Sequence, residues 1–252
     1  MSNVVINSYK FGIPFSNTYS FDFDGVDEYV DTDLTVPASL LGNFSVSFWI
    51  NMSPVSGGTY LKKHPVSVST SVTALDQTVH VRAWNTQYLI RQIGSLSGGG
   101  VGTTDLSDNN WHHIAYTYTY DAGTTYYTVN IYVDGNATPE VISVMRTTGG
   151  YATQGLYKIG ALGSYTTKAV VATSYFPGLI DEVSAWGSAL STGDIATLAG
   201  GPNNLNTVLS STPLGWWRMG DEATWDGSDW TLTDQGSGGN DGTSDNMEED
   251  SR

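Results

Sequence analysis

The chain has 252 residues, with 25 Asp+Glu against 10 Lys+Arg, a net charge of −15 and no cysteine. That length buries one sizeable core, the lack of thiols excludes disulfides and thiolate metal sites, and without a cationic cluster to release counterions nucleic acid is not an expected partner. No apolar run approaches the ~18 residues of a membrane span and no leader is visible, so membrane insertion and signal-driven export are not expected either.

Residues 1–18 read as an extended arm, broken by Gly12, Pro14 and Asn17. The stretches 19–23 and 28–31 read as short strands on either side of an Asp24-Gly25 turn. In 44–52, Phe44, Val46, Phe48, Ile50 and Met52 share one face and Ser45, Ser47, Trp49 and Asn51 the other, the clearest period of two in the chain. Weaker strands fall at 58–62, 78–84 and 87–93, and the glycines 98–100 mark a loop. Residues 111–120 and 124–136 form a long hairpin, its second strand presenting Tyr127, Val129, Ile131 and Val133 on one side. The last strands are 157–160 and 174–186, the latter bent at Pro177-Gly178. One helix is expected at 190–198, capped by Ser191 or Thr192, with Asp194 in its first turn and "AGGP" ending it.

Gly and Tyr usage with this alternation predicts an all-β chain of two packed antiparallel sheets with one short helix. Past residue 200 the composition changes. Trp216, Trp217, Trp225 and Trp230 lie among acids and can dock on the sandwich, whereas the last ~18 residues are too polar to offset their own ordering entropy unless something holds them. The division is then an arm 1–18, a body 19–200, and a Trp-rich docking segment with an acidic tail, 201–252.

Four stretches in this order, "YSFDFDGVDEYVDT", "FSVSFWINM", "NNWHHIAYTYTYDAGTTYYTVNIYVDG" and "FPGLIDEVSAWGSALSTGDI", resemble a laminin G-like, pentraxin-related domain of the concanavalin A-like lectin/glucanase superfamily. The resemblance covers about 19–199 and implies a jelly-roll, frequently a bound Ca²⁺, and a recognition or adhesion role. "WWRMGDEATWDGSDWTLTDQGSGGNDGT" is similar to stretches flanking such domains in structural proteins of tailed phages.

Asp22, Asp24 and Asp27 crowd one turn, either as a calcium loop supplying oxygens or as a turn with solvated acids. In "LIDEVSAW" neighbouring residues point to opposite faces, so only one of Asp181 and Glu182 shares the face of Ile180, and one carboxylate needs a cation or donors. The resemblance sets this strand beside the first one, which makes Asp24, Asp27 and Asp181 the candidate Ca²⁺ ligands. An acid bonded to loop amides is the competing reading.

Trp84, Tyr88, Tyr116, Tyr118, Tyr126 and Tyr132 are candidates for stacking on a sugar face, against a role in cross-strand pairing alone. Trp49, Trp111 and Trp186 read as core or near-core, and His112 and His113 as packing, since no partner spacing for a metal exists. Trp216, Trp217 and Arg218, the last paired with Asp221, anchor the C-terminal segment or form a subunit interface. The superfamily's glucanases carry E-x-D-x-x-E on one strand; "DFDGVD" is the nearest spacing here, with Asp for Glu and a strand-ending Gly.

The function expected is therefore non-catalytic: a virion structural protein, as capsid decoration or tail fibre, binding a cell-surface glycan, other virion subunits or copies of itself. The alternative is an extracellular carbohydrate-binding module of a secreted bacterial protein. A glucanase is the third reading.

Overall fold

The computed structural model describes residues 17–36, 42–54, 62–69, 78–84, 87–93, 100–124, 126–146, 155–163, 170–171, 174–201, 204–209 and 211–252. In chain order the strands are β1 Phe21–Asp24, β2 Tyr29–Thr35, β3 Phe44–Asn51, β4 Lys62–Lys63, β5 Val66–Ser69, β6 Thr78–Trp84, β7 Gln87–Ile93 and β8 Trp111–Asp121. They continue with β9 Tyr126–Val133, β10 Val141–Arg146, β11 Gly155–Ile159 and β12 Pro177–Trp186. Two helices, α1 Thr192–Ala199 and α2 Leu205–Val208, precede β13 Gly215–Trp217, β14 Met219–Trp225, β15 Trp230–Leu232 and β16 Gly242–Asp245. The arm at 1–16, the strand expected at 58–61 and the glycines 98–99 lie outside the described residues.

Two antiparallel sheets face each other, as the alternation predicted. The first has the order β1-β12-β3-β8-β9-β10, with β13 also pairing to β12; the second has the order β14-β15-β16-β2-β11-β5. A small sheet of β4, β6 and β7 is hydrogen-bonded to neither, although β6 lies against β5 and β7 against β10. Phe44, Val46, Phe48 and Ile50 of β3 point into the main core with Ile114, Val129 and Ile131, and meet Val30, Leu34, Leu156, Ile159 and Leu232 of the second sheet. Burying a side chain of this size contributes about 1.5–3 kcal/mol.

The other face of the first sheet is covered as well. Ser191 caps α1 in a capping box with Asp194, and Ile195 and Leu198 of that helix pack with Leu190, Leu205 and Trp216 onto Ala115, Tyr132 and Trp186. Ser45 and Ser47, polar positions that a one-sided sheet would leave in water, are buried. The Ser45 hydroxyl donates to Ser188 O at 2.8 Å and accepts from Leu190 N at 2.9 Å, which satisfies it under the cover.

Two expectations fail here. β1 and β2 do not form a hairpin around Asp24-Gly25: β1 pairs with β12 in one sheet, β2 with β11 and β16 in the other, so the turn is a corner between layers. Gly25 takes φ +75° there, and a Cβ on it would sit 2.8 Å from the Pro177 Cβ. The acidic tail, expected to gain order only from a partner or an ion, is held by the sandwich itself: its strand β16 pairs with β2, and β15 and β14 of the Trp-rich segment, which was expected to dock, extend that sheet.

Its carboxylates do the work that apolar side chains do elsewhere. Asp234 accepts from the amides of Trp216 at 2.8 Å, Gly236 at 2.7 Å and Asn240 at 2.9 Å, while Asp241 accepts from Asp234 N at 2.9 Å. The indoles of Trp217 and Trp230 donate to Asn240 O and Glu248 O, both at 2.9 Å. Backbone groups that would otherwise be hydrated are thus paired within the fold.

Candidate functional site

The acidic pair of β12 is held by a bulge. Asp181 pairs with Trp49 and Ser184 with Ser47, so three steps on β12 face two on β3, and Glu182 takes φ +48°. The extra residue breaks the alternation, and both carboxylates are buried, Asp181 at 0% and Glu182 at 6% exposure. This corrects the expectation that the two would lie on opposite faces. Glu182 accepts from Trp216 Nε1 at 2.6 Å and Arg218 Nε at 3.1 Å. Arg218 therefore pairs first with Glu182, and its distance to Asp221 is 3.9 Å.

Asp181 accepts from Asn17 Nδ2 at 2.8 Å and from Glu182 N at 2.7 Å. Burial first, and the Glu182 carboxylate second, push its pKa well above the usual carboxylate range. Asp24 pairs with Pro177, four residues away from Asp181 along β12, roughly 13 Å at about 3.3 Å per residue. Asp24 spends Oδ1 on the amides of Val26 at 2.7 Å and Asp27 at 3.3 Å. One cation reaches its ligands at about 2.3–2.6 Å, so Asp24, Asp27 and Asp181 do not make a single Ca²⁺ site. Among the described residues no three His, Asp or Glu side chains gather to hold a metal.

Glu28 closes the same corner. It accepts from Asp24 N at 2.7 Å and from the Ser251 hydroxyl at 3.2 Å, tying the first corner to the C-terminal turn. Burial pushes its carboxyl up to about 7. A folded pKa above the unfolded one means the proton stabilises the fold: the contribution is complete below about 4.5 and is lost as pH rises through about 7. Glu28→Gln keeps the uncharged form throughout, so thermal melts between about pH 5 and pH 8 should show a smaller decline in Tm for the variant than for wild type.

Between the first sheet and its cover lies a cavity of about 10 Å³, lined by Ser47, Trp49, His113, Glu182, Ser184 and Leu198 among others. Ser47 Oγ and His113 Nε2 are 2.7 Å apart there, a serine–histidine pair. It is not a nucleophile and its base: burial pushes His113 down to about 3, its Nδ1 has no partner, and the space admits one water. His112 is bonded to Asp134 at 2.9 Å and Asp108 at 3.2 Å, so it bridges two carboxylates rather than serving in packing alone. A wider cleft of about 420 Å³ opens beside Thr103, Asp134, Asn136, Thr138 and Glu140, with no aromatic side chain among its lining residues.

The aromatic candidates divide. Tyr116 and Tyr118 are fully buried, because they stand opposite Ile131 and Val129 and share their inward face. Tyr132 is 7% exposed and packs under α1. None of the three can stack on a ligand. Tyr126 is exposed at the hairpin end. The strands carrying Trp84 and Tyr88 are described, and their side chains are not. Trp216, Trp217 and Arg218 are buried within the chain, at 2%, 0% and 7% exposure, so they anchor the C-terminal segment and offer no surface to another subunit.

The surface built for stacking lies on the outer face of the second sheet and involves residues not singled out above. Along β2, Val30 and Leu34 point inward while Tyr29, Asp31 and Asp33 point outward, each partly or fully exposed. The Tyr29 hydroxyl donates to Asp245 Oδ2 at 2.9 Å on β16. The Lys158 ammonium lies 4.9 Å from the Tyr29 ring centroid and pairs with Asp31. Tyr175 stands beside Tyr29, ring centroids 6.5 Å apart and tilted by 32°.

The backbone on both sides of Tyr175 is fixed, by Ser174 N to Val171 O at 2.9 Å and Phe176 N to Gly160 O at 2.7 Å. Burial and the adjacent acids, Asp245 for Tyr29 and Asp27 with Asp245 for Tyr175, push both phenols above their usual range. The result is a half-exposed, neutral, rigid aromatic pair bordered by carboxylates, suited to holding a hydroxylated ring.

Comparison with known proteins gives the same architecture. The chain is similar to a heptameric SAP-like pentraxin from Limulus polyphemus, with a TM-score of 0.51 at 16% identity, over 71% of this chain and 81% of that one. It is also similar to a putative carbohydrate binding protein from Bacteroides ovatus ATCC 8483, with a TM-score of 0.57 at 17% identity, over 90% of this chain but 57% of that one. At these identities the likeness is one of fold. No curated protein sequence matches the chain significantly. The Laminin_G_3 family, described as concanavalin A-like lectin/glucanases superfamily, matches residues 23–196. With well over half of its length matched and two facing antiparallel sheets to carry the match, the chain belongs to the concanavalin A-like lectin/glucanases superfamily.

Proposed function

We propose that the protein is a non-catalytic carbohydrate-binding domain that holds a glycan on the outer face of its second sheet. The Tyr29–Tyr175 pair carries this reading, since it presents a fixed apolar surface with acceptors at its edge on a face that no helix covers among the described residues. The adjacent acids of β12 do not suit hydrolysis, which needs two carboxyls flanking an accessible sugar: Asp181 and Glu182 are buried under Asn17 and Arg218. The description of the Bacteroides protein as carbohydrate binding agrees with this assignment.

The setting proposed is a virion, as capsid decoration or fibre, with the domain in repeated copies; the alternative is an extracellular module of a secreted bacterial protein. A glycan array probed with the purified protein tests the central claim. Binding should be seen without release of reducing ends, and Tyr175→Ala should weaken it by about ten-fold with an unchanged Tm, because the residue stacks without supporting the core. Equal binding by that variant would remove the second sheet's outer face from the reading. Sedimentation velocity of the purified protein tests the repeated copies: a monomer at micromolar concentration would count against them.

A further inference from the structure

We infer that the Tyr29–Tyr175 surface selects uncharged saccharides and discriminates against sialylated and sulfated ones; this rests on the glycan-binding reading above. The Tyr29 hydroxyl is spent on Asp245, leaving its ring as the contact surface. Asn246 Nδ2 donates to Asp27 O at 3.3 Å, which sets Asp27 next to Asp245 on the same border. Asp31 stands across from Thr243 on the outer face, with Oδ1 buried and unpaired although the side chain is 37% exposed. The rim of the tyrosine pair is therefore made of Asp27, Asp31 and Asp245.

Cations near this rim are already committed. Lys158 is 1% exposed, held by Asp31 and roofed by Gly163, whose Cβ would lie 2.5 Å from the Lys158 Cγ. Lys63 reaches the β1–β2 corner and donates to Gly25 O at 3.4 Å. An incoming carboxylate or sulfate therefore meets carboxylates, while the ammonium groups of Lys158 and Lys63 are engaged elsewhere. The hydroxyls of an uncharged pyranose, in contrast, donate to the accessible carboxylate oxygens of the rim, while its C–H face rests on the rings.

Two carboxylates about 6 Å from an anionic group disfavour it by about ten-fold even at the dielectric constant of water. The net charge of −15 adds to that repulsion at longer range.

The test takes the tightest neutral glycan found for the full chain and titrates it beside its sialylated and sulfated counterparts, at low and at high salt. The neutral form should bind at least about ten-fold tighter at low salt, and the gap should narrow at high salt as the Debye length shrinks. Asp27→Asn with Asp245→Asn should narrow the gap further at low salt, read as the ratio of neutral to anionic affinity within the same variant, so that any change in neutral binding itself cancels. Anionic glycans binding as tightly as neutral ones, or a gap untouched by both substitutions, would overturn the inference and leave glycan binding intact. A wild-type protein that binds no glycan of any charge overturns both.

Discussion

A chain ending at Gly200 is expected not to fold, although the family match ends at residue 196. The missing part holds Trp217, Met219, Ala223, Trp230, Leu232 and Met247, all members of the main core cluster. Trp230 lies 5.4 Å from Phe21, centroid to centroid, so its loss opens the core from the β1 side. Removing two tryptophan side chains of this kind costs about 3–5 kcal/mol each, against a total stability of about 5–15 kcal/mol. The cut also strips β16 from β2 and leaves a row of unpaired backbone groups on a strand that was internal. Expressed alone, the fragment should be insoluble or show no cooperative thermal transition. A fragment melting cooperatively near the full chain's Tm would show that the later strands are an appendage.

The second large effect is expected at Arg218. Its side chain is 8% exposed and that of Glu182 is 6% exposed, so removing the guanidinium leaves a buried carboxylate without its counter-charge. Breaking one side of such a pair costs about 3–5 kcal/mol, which for a chain of this size lowers Tm by roughly 10 °C. Arg218→Met should show that loss, and Glu182→Gln in the same chain should restore much of it by removing the stranded charge. Burial already raises the Glu182 pKa, with Arg218 and the Trp216 indole opposing. Without Arg218 the opposition weakens, so the destabilisation should be larger at pH 8 than at pH 5. A variant melting within about 2 °C of wild type would mean that the carboxylate finds another partner or keeps its proton at little cost.

Much of this fold is legible in the residues, and the parts that are not share a cause. Phe44 to Met52 declares its inward face by the alternation of its apolar side chains, although Ser45 and Ser47 on the other face are buried as well, which the alternation does not reveal. The β8–β9 hairpin is equally plain in its pairing, yet Tyr116 and Tyr118 look available until the register is applied. They stand opposite Ile131 and Val129, and residues directly opposite share a face. That inference was open from the sequence once the apolar side of β9 was assigned.

The Asp181–Glu182 bulge was not, because period-2 reasoning assumes one residue per partner, and nothing local marks the extra one. The tail fails for a related reason. Per-residue polarity counts Asp234 as a solvated acid, whereas in the fold it is the acceptor for three amides. Of the proposed binding surface, Tyr29 could be read from the alternation of β2, in which it shares the polar face with Asp31. Tyr175 could not, since it lies outside any strand and reaches Tyr29 only through the way the chain folds back.

The Tyr29–Asp245 contact joins residues 216 positions apart, and β16 fills an internal place in its sheet rather than an edge. Until that late segment arrives, β2 has a vacant side, so the nascent molecule carries an adhesive strip through most of its synthesis. Long loop closure of this kind slows acquisition of structure and lengthens the interval in which neighbouring chains can pair there. Yield on heterologous production should therefore improve with slower expression and lower temperature more than with any surface substitution.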